Sequence, residues 1–278
     1  MLKKAYLEIT NECNLGCSFC HGTKRPIRYL TVDEFTRAAT ELRRVSEYIY
    51  FHLMGEPLLH PELSELFSIA NDLGFKVIIT TNGTLLGEKR DILLSSPALH
   101  KVSISLHAYE ANAMDMSLRE YLSTCLDFCR SAAEEAVISV VRLWNLGGED
   151  SLNGEILQMI KEYFPEEWQT SRGGYKLSDR VFLQWGERFD WPDENAKEVG
   201  DRHSCYGLRD QVGILSDGRV VPCCLDADGV ITLGNIFEES IEDILAKPRA
   251  VALKRSFEER KITEPLCLRC GFAATRVK

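Results

Sequence analysis

Cys13, Cys17 and Cys20 stand close together near the amino end, spaced Cys-x-x-x-Cys-x-x-Cys. Thiolates are soft ligands suited to zinc and iron-sulfur centres, and three on one loop can converge on a single point. A structural zinc site wants four ligands, and His21, adjacent to Cys20, is awkwardly placed to join the same tetrahedron. A cubane of four irons held by three thiolates instead leaves one iron open, which is a place to bind something. A second set, Cys205, Cys223, Cys267 and Cys270, is dispersed and ends in Cys-x-x-Cys. The stretch QVGILSDGRVVPCC reads as a hairpin turning at Asp217-Gly218, which carries Cys223 back toward Cys205. A helix over about 241–255 then returns Cys267 and Cys270. Four thiolates can close one site, with zinc as the alternative by ligand count.

Cys224, if it shares a strand with Cys223, points the opposite way and reads as packing, the other options being a hydrogen-atom donor or an alternative ligand. Cys125 and Cys129 are in phase with Leu118, Leu122 and Ala132, so they read as the apolar face of a helix. Ten cysteines in 278 residues, with no apolar stretch behind Lys3 and Lys4, point to a reducing cytoplasmic setting and to metal or redox chemistry, not disulfides. No run approaches the roughly 18 apolar residues of a membrane span. Lys+Arg 33 against Asp+Glu 42 leaves a net charge of -9, which disfavours nucleic acid and anionic membranes as partners. With 45% apolar and 27% charged residues, the composition excludes disorder, collagen and coiled coil.

The elements that must position these thiols alternate. Strands are predicted over 6–10, 48–54, 76–81, 101–106, 137–143 and 181–185. Helices lie between them, opened by capping boxes at Thr31 with Glu34 and Ser117 with Glu120, and near 61–74, 88–95 and 154–164. That order makes an α/β fold, a parallel sheet wrapped by helices. Strand parity sorts the polar residues. Val102, Ile104 and Leu106 face one way while Ser103, Ser105 and His107 face the other, and Glu8, Thr10, His52, Glu56, Thr80, Asn82, Arg142 and Gln184 follow the same rule. Polar groups therefore gather on one surface toward the carboxyl ends of the strands, where parallel α/β folds place active sites. Lys24, Arg25 and Arg28 either put positive charge at the mouth of that surface or form a solvated run. Trp185, Phe189 and Trp191 stack on substrate or wedge two domains together.

The triple, with Phe19 just before its last cysteine, resembles the signature of radical S-adenosylmethionine (radical SAM) enzymes. LMGEPLLHPEL resembles the family's Gly-Gly-Glu-Pro motif, with Met54 where the first glycine usually stands, and TTNGTLL and VSISLH resemble its third and fourth strands. The resemblance covers nearly the whole chain. It implies a partial (β/α)6 barrel over 1–200, followed over 201–278 by a small cysteine-rich auxiliary domain with a hairpin and a helix, similar to the shortened SPASM, or twitch, extension. It further implies a 4Fe-4S cluster on Cys13, Cys17 and Cys20 whose open iron chelates SAM. One electron then cleaves SAM to a 5'-deoxyadenosyl radical that abstracts a substrate hydrogen atom. An auxiliary 4Fe-4S cluster on Cys205, Cys223, Cys267 and Cys270 passes electrons.

The implied SAM-binding residues are Phe19 near the adenine and Met54, Gly55 and Glu56 near the methionine amino group, with Ser105 and Arg142 as further candidates. The Arg142 guanidinium suits either the SAM carboxylate or an anionic substrate. Implied partners are a small-molecule or peptide substrate and an external one-electron donor such as flavodoxin or ferredoxin, and a peptide would need a separate leader-binding partner or no leader. The opposing readings are a noncatalytic binding protein stabilised by zinc at both sets, and a radical SAM enzyme that modifies RNA.

Overall fold

In the computed structural model, which describes residues 1–275, strands and helices alternate as the patterning requires. The first part runs β1 (Lys4–Leu7), α1 (Val32–Arg43), β2 (Tyr48–Tyr50), α2 (Leu63–Asp72), β3 (Lys76–Thr81), α3 (Leu86–Leu94), β4 (Leu99–Ser105) and α4 (Leu118–Glu134). It continues with β5 (Ile138–Leu146), α5 (Asn153–Tyr163), β6 (Gln169–Ser171), β7 (Gly174–Ser178) and β8 (Val181–Glu187). The C-terminal segment adds β9 (Gln211–Ile214), β10 (Arg219–Val221), β11 (Gly234–Asn235), α6 (Ile241–Ala246), α7 (Pro248–Glu258) and α8 (Gly271–Ala274).

Both capping boxes form. Thr31 and Ser117 each accept the backbone N–H three residues on, and Glu34 and Glu120 reach back to the cap residue, which satisfies donors the first turn leaves orphaned. Apolar spacing then chooses the buried face. α1 buries Phe35, Ala38, Ala39 and Leu42, and α4 buries Leu118, Tyr121, Leu122, Cys125, Leu126 and Cys129. Cys125 and Cys129 are thus core residues, and each fully buried side chain of Leu or Phe size in that core contributes roughly 1.5–3 kcal/mol.

The sheet order is β11-β10-β9-β1-β2-β3-β4-β5-β8-β7-β6. β1, β2, β3, β4, β5 and β8 are parallel neighbours, and the sheet is open, as a partial barrel requires. The hairpin expected around Asp217-Gly218 is β9–β10, with Gly218 at φ 84°. It does not form a sheet of its own, because β9 pairs in parallel with β1 from Lys4↔Gln211 to Leu7↔Ile214 and extends the barrel sheet.

Three expectations are corrected. The first strand occupies Lys4–Leu7, with Thr10 reduced to an isolated bridge to Tyr29. The second strand, expected over 48–54, occupies only Tyr48–Tyr50, as the chain beyond it turns to give Met54 N to Glu8; the antiparallel pair β6–β7 carries no sequence signal, since Gln169, Thr170 and Ser171 have no apolar alternation. The single helix over 241–255 is two, α6 and α7, because Lys247 before Pro248 takes an extended conformation, φ -59° and ψ 146°, and Pro248 has no N–H to continue a ladder. Among the described residues no helix is long and apolar enough to cross a membrane. The last residues of the auxiliary segment, 276–278, lie outside the described residues.

Candidate active site

The loop after β1 carries the cysteine triple and is held by a buried ion pair. Glu8 is 0% exposed, and both its oxygens accept from Arg25 Nη2 at 2.7 Å. The same carboxylate accepts from Ser216 N (3.0 Å) and Oγ (2.9 Å) and from Met54 N (3.2 Å). Arg25 also donates from Nε to the Ala227 carbonyl at 2.9 Å. Arg25 is therefore a clamp between the cluster loop and the β9–β10 turn, not a cation offered at the pocket mouth. Arg28 pairs with Glu34, and Lys24 alone of the three stays exposed.

Within the loop, Cys20 N donates to the Cys17 carbonyl at 3.0 Å. Burial raises all three thiols, Cys13 to about 11, and for Cys13 the next raising causes are Glu56, Cys17 and Cys20, so the three groups face a common region. N–H donors point at the sulfurs: Asn112 Nδ2 to Cys17 Sγ at 3.1 Å, Gly22 N to Cys20 Sγ at 3.4 Å, and Asn82 Nδ2 to Cys13 Sγ at 3.9 Å. Such donors stabilise thiolate charge, as iron-sulfur ligation requires. Asn112 also accepts from Gly16 N at 3.0 Å. Sequence reasoning missed Asn112, which comes from a loop with no local pattern, whereas strand parity had already marked Asn82.

Gly55 and Glu56 adjoin this loop. Gly55 has φ 77°, and a Cβ there would lie 2.6–2.8 Å from backbone atoms of Thr10, Asn11 and Glu12, so only glycine lets the two segments touch. Glu56 donates its N–H to the Glu12 carbonyl at 2.7 Å, while its carboxylate accepts from Asn82 N (2.7 Å) and Leu58 N (3.1 Å). Burial pushes Glu56 up to about 7 against those hydrogen bonds. Phe19 lies against His107 with centroids 4.8 Å apart, and its carbonyl accepts from Trp191 Nε1 at 3.1 Å. Met54 is buried. Ser105 ends β4, and the Tyr121 hydroxyl donates to the carbonyls of both Asn82 (2.6 Å) and Ser105 (3.4 Å). Phe19 belongs to the loop itself, Gly55 and Glu56 touch it, and Ser105 is linked to it through Tyr121 and Asn82. Arg142 is placed elsewhere, over the Trp144 ring at 4.7 Å and beside Tyr6, Tyr50 and Cys224.

Arg142 lines a cavity of about 380 Å³ that Cys205, Cys223, Cys267 and Cys270 also line. Burial, then the neighbouring thiols Cys224, Cys205 and Cys267, raises Cys223. Cys205 Sγ accepts from Gly207 N at 3.3 Å. Cys224 lines the same cavity as Cys223, against the expectation that it faces away. The reason is local: β10 ends at Val221, so strand alternation no longer applies. Cys224 shares a hydrogen bond with the Tyr6 hydroxyl and packs with Tyr6, Leu53, Leu215 and Val221. Thiols grouped on a loop and lining a cavity are soft donors of the kind that hold iron-sulfur clusters.

A family model of the radical SAM superfamily matches residues 7–159, and one of an iron-sulfur cluster-binding domain, SPASM, matches residues 205–271. The chain is 32% identical over 111 residues to the AdoMet-dependent heme synthase of Methanosarcina barkeri, a stretch covering 39% of this chain and 32% of that relative. It is 31% identical over 302 aligned residues to the probable GTP 3',8-cyclase of Methanocella arvoryzae, covering 93% of this chain and 94% of the relative. Its fold is similar to that of BtrN crystallised with AdoMet and 2-DOIA, with a TM-score of 0.57 at 17% identity over 97% of this chain and 93% of the other.

Proposed function

The chain belongs to the radical SAM superfamily and carries a SPASM iron-sulfur domain, and on that premise we propose that it oxidises or otherwise modifies a small metabolite, or one residue of a peptide, held between its two cysteine sets. It is an enzyme that uses 4Fe-4S clusters and SAM for radical chemistry, which sets aside the zinc-stabilised binding protein. The observation that carries the finer reading is the cavity of about 380 Å³ lined both by barrel side chains and by the four auxiliary cysteines. That volume lies at the small end of ligand pockets, about 300–1,000 Å³.

On this reading the barrel, 1–200, holds one cluster on Cys13, Cys17 and Cys20, and 201–278 holds the other on Cys205, Cys223, Cys267 and Cys270. When bound, these cofactors supply the electron that breaks the SAM sulfonium and a path for the electron the substrate gives up. An external one-electron donor such as flavodoxin or ferredoxin feeds them. The chain's own residues hold and shield. Asn82 and Asn112 donate to ligand sulfurs, Glu56 offers a buried carboxylate to the methionine ammonium, and Phe19 with His107 forms an aromatic wall for the adenine. Gly55 and Met54 present backbone to the methionine end, and Ser105 closes the edge of that site.

Anaerobically reconstituted protein should contain about eight iron and eight sulfide atoms per chain on the two-cluster reading and form 5'-deoxyadenosine when given dithionite and SAM. Cys17→Ala should abolish this. Cys267→Ala should keep some SAM cleavage but lose substrate turnover. Protein that never forms 5'-deoxyadenosine overturns the reading, and full turnover by the Cys267 variant removes the auxiliary cluster from it.

A further inference from the structure

We propose that the substrate carries an oxyanion, a phosphate or a carboxylate, that seats among Arg142, Lys101 and Lys4 on the barrel wall of the cavity. The inference rests on the functional reading above and names its substrate class. Lys4 begins β1, Lys101 lies in β4 and Arg142 in β5, and all three line the one cavity. Strand parity brings them there: Lys4 shares a face with Tyr6, Lys101 with Ser103 and Ser105, and Arg142 pairs across to Ser105 and Gln184.

Around Arg142 and Lys101 the charges do not balance. Asp226 is the one acid among the lining residues, and its two oxygens already accept the N–H groups of Val230 and Ile231 at 2.8 Å. Among the described residues neither Arg142 nor Lys101 has a carboxylate within ion-pair distance. Burial, then Arg142 and Lys4, pulls Lys101 down to about 8, so it is still a cation at neutral pH, crowded by cations. Burial and the same cations hold His52 near 3, hence neutral and free to hydrogen-bond.

Donors are also left over. Arg142 Nε and Trp144 Nε1, and with them His52 Nδ1, are buried without a hydrogen-bond partner. A buried polar group left unpaired is costly, and a ligand rich in acceptor oxygens satisfies these donors. Stacking on Trp144 at 4.7 Å orients the Arg142 guanidinium, whose planar fork matches two oxygens of a phosphate or carboxylate. The Tyr6 and Tyr50 hydroxyls stand in the same cavity. The competing account is that these cations only balance the charge of a four-thiolate cluster lining the same cavity, and then a free anion would find no site.

Calorimetric titration of the reconstituted protein with inorganic phosphate and with acetate, at constant ionic strength, decides between them, with Trp144 fluorescence as a local readout. One saturable site for at least one anion is expected, weakened tenfold or more by Arg142→Gln and by Lys101→Met, and unchanged by Lys254→Met on the exposed side of α7. Lys101→Met keeps the aliphatic stem, and unchanged iron content and cluster absorbance show that it folds. The preferred anion tells a phosphorylated substrate from a carboxylic one. No saturable binding, or binding that survives both lumen substitutions, overturns the proposal. SAM cleavage by the wild-type protein is followed in parallel: cleavage without anion binding sinks this inference alone, and anion binding without cleavage sinks the functional reading and leaves the anion site standing.

Discussion

Cys13, Cys17 and Cys20 ride on a loop that leaves the sheet and is positioned by distant side chains, Asn82 and Asn112 at the sulfurs and the Glu8–Arg25 pair at its base. Cys205, Cys223, Cys267 and Cys270 instead line a partly open cavity and belong to a segment whose first strand is hydrogen-bonded into the barrel sheet. A loop held from outside can leave one side of its thiols accessible, where a small cofactor can reach. Four thiols lining one cavity suit a fully ligated centre beside a substrate. The two regions also answer differently to damage, because the first depends on a few long-range clamps and the second on the packing of the whole sheet edge.

Arg25→Met tests that difference most severely. It leaves Glu8 buried and without its ion-pair partner, which costs about 3–5 kcal/mol, and it should strip iron from the N-terminal set first. Denaturant unfolding with iron analysis reads both effects, and equal loss from the two sets would mean they are not separable. Gly55→Ala comes next. It forces a Cβ to within 2.6–2.8 Å of the backbone at 10–12 with φ at 77°, and a loss of about 3 kcal/mol and of SAM binding is expected. A stable variant that still binds SAM would refute the tight approach of the two segments.

A smaller effect comes from His107, which burial lowers to about 4. Its neutral form is the one folded around Phe19, so its contribution is whole above the unfolded value near 6.5 and is lost as pH falls toward 4. Between pH 6.5 and 5 this amounts to about 2 kcal/mol, and His107→Gln should flatten that part of a urea-midpoint profile. Asn112→Ala should cost least, about 1 kcal/mol for the lost hydrogen bond, yet should shift the spectrum or potential of the N-terminal cluster and leave the auxiliary one unmoved.

Local rules were enough to place much of this molecule. The capping boxes at Thr31 and Ser117, the turn at Asp217-Gly218 and the phase of Cys125 and Cys129 each depend on residues within a few positions, so their physics is complete in a short stretch of chain. The β6–β7 pair was not legible, because short polar strands at a sheet edge have no apolar face to announce them. Nor was the role of Arg25. A basic run beside a cysteine loop reads the same whether its charges meet solvent or, as Arg25 does, a carboxylate buried inside the sheet.

Residue type and short-range spacing by themselves determined the ligand chemistry, three soft donors on one loop and four more downstream, and through strand periodicity which polar side chains turn inward. Only the tertiary structure decided that Arg142 shares a cavity with Lys4, Lys101 and the auxiliary cysteines, apart from Glu56, and that Cys224 shares it with Cys223. Those juxtapositions depend on which strands become neighbours and where each one ends, and the pairing of β9 with β1 joins residues about 200 positions apart that no local pattern relates.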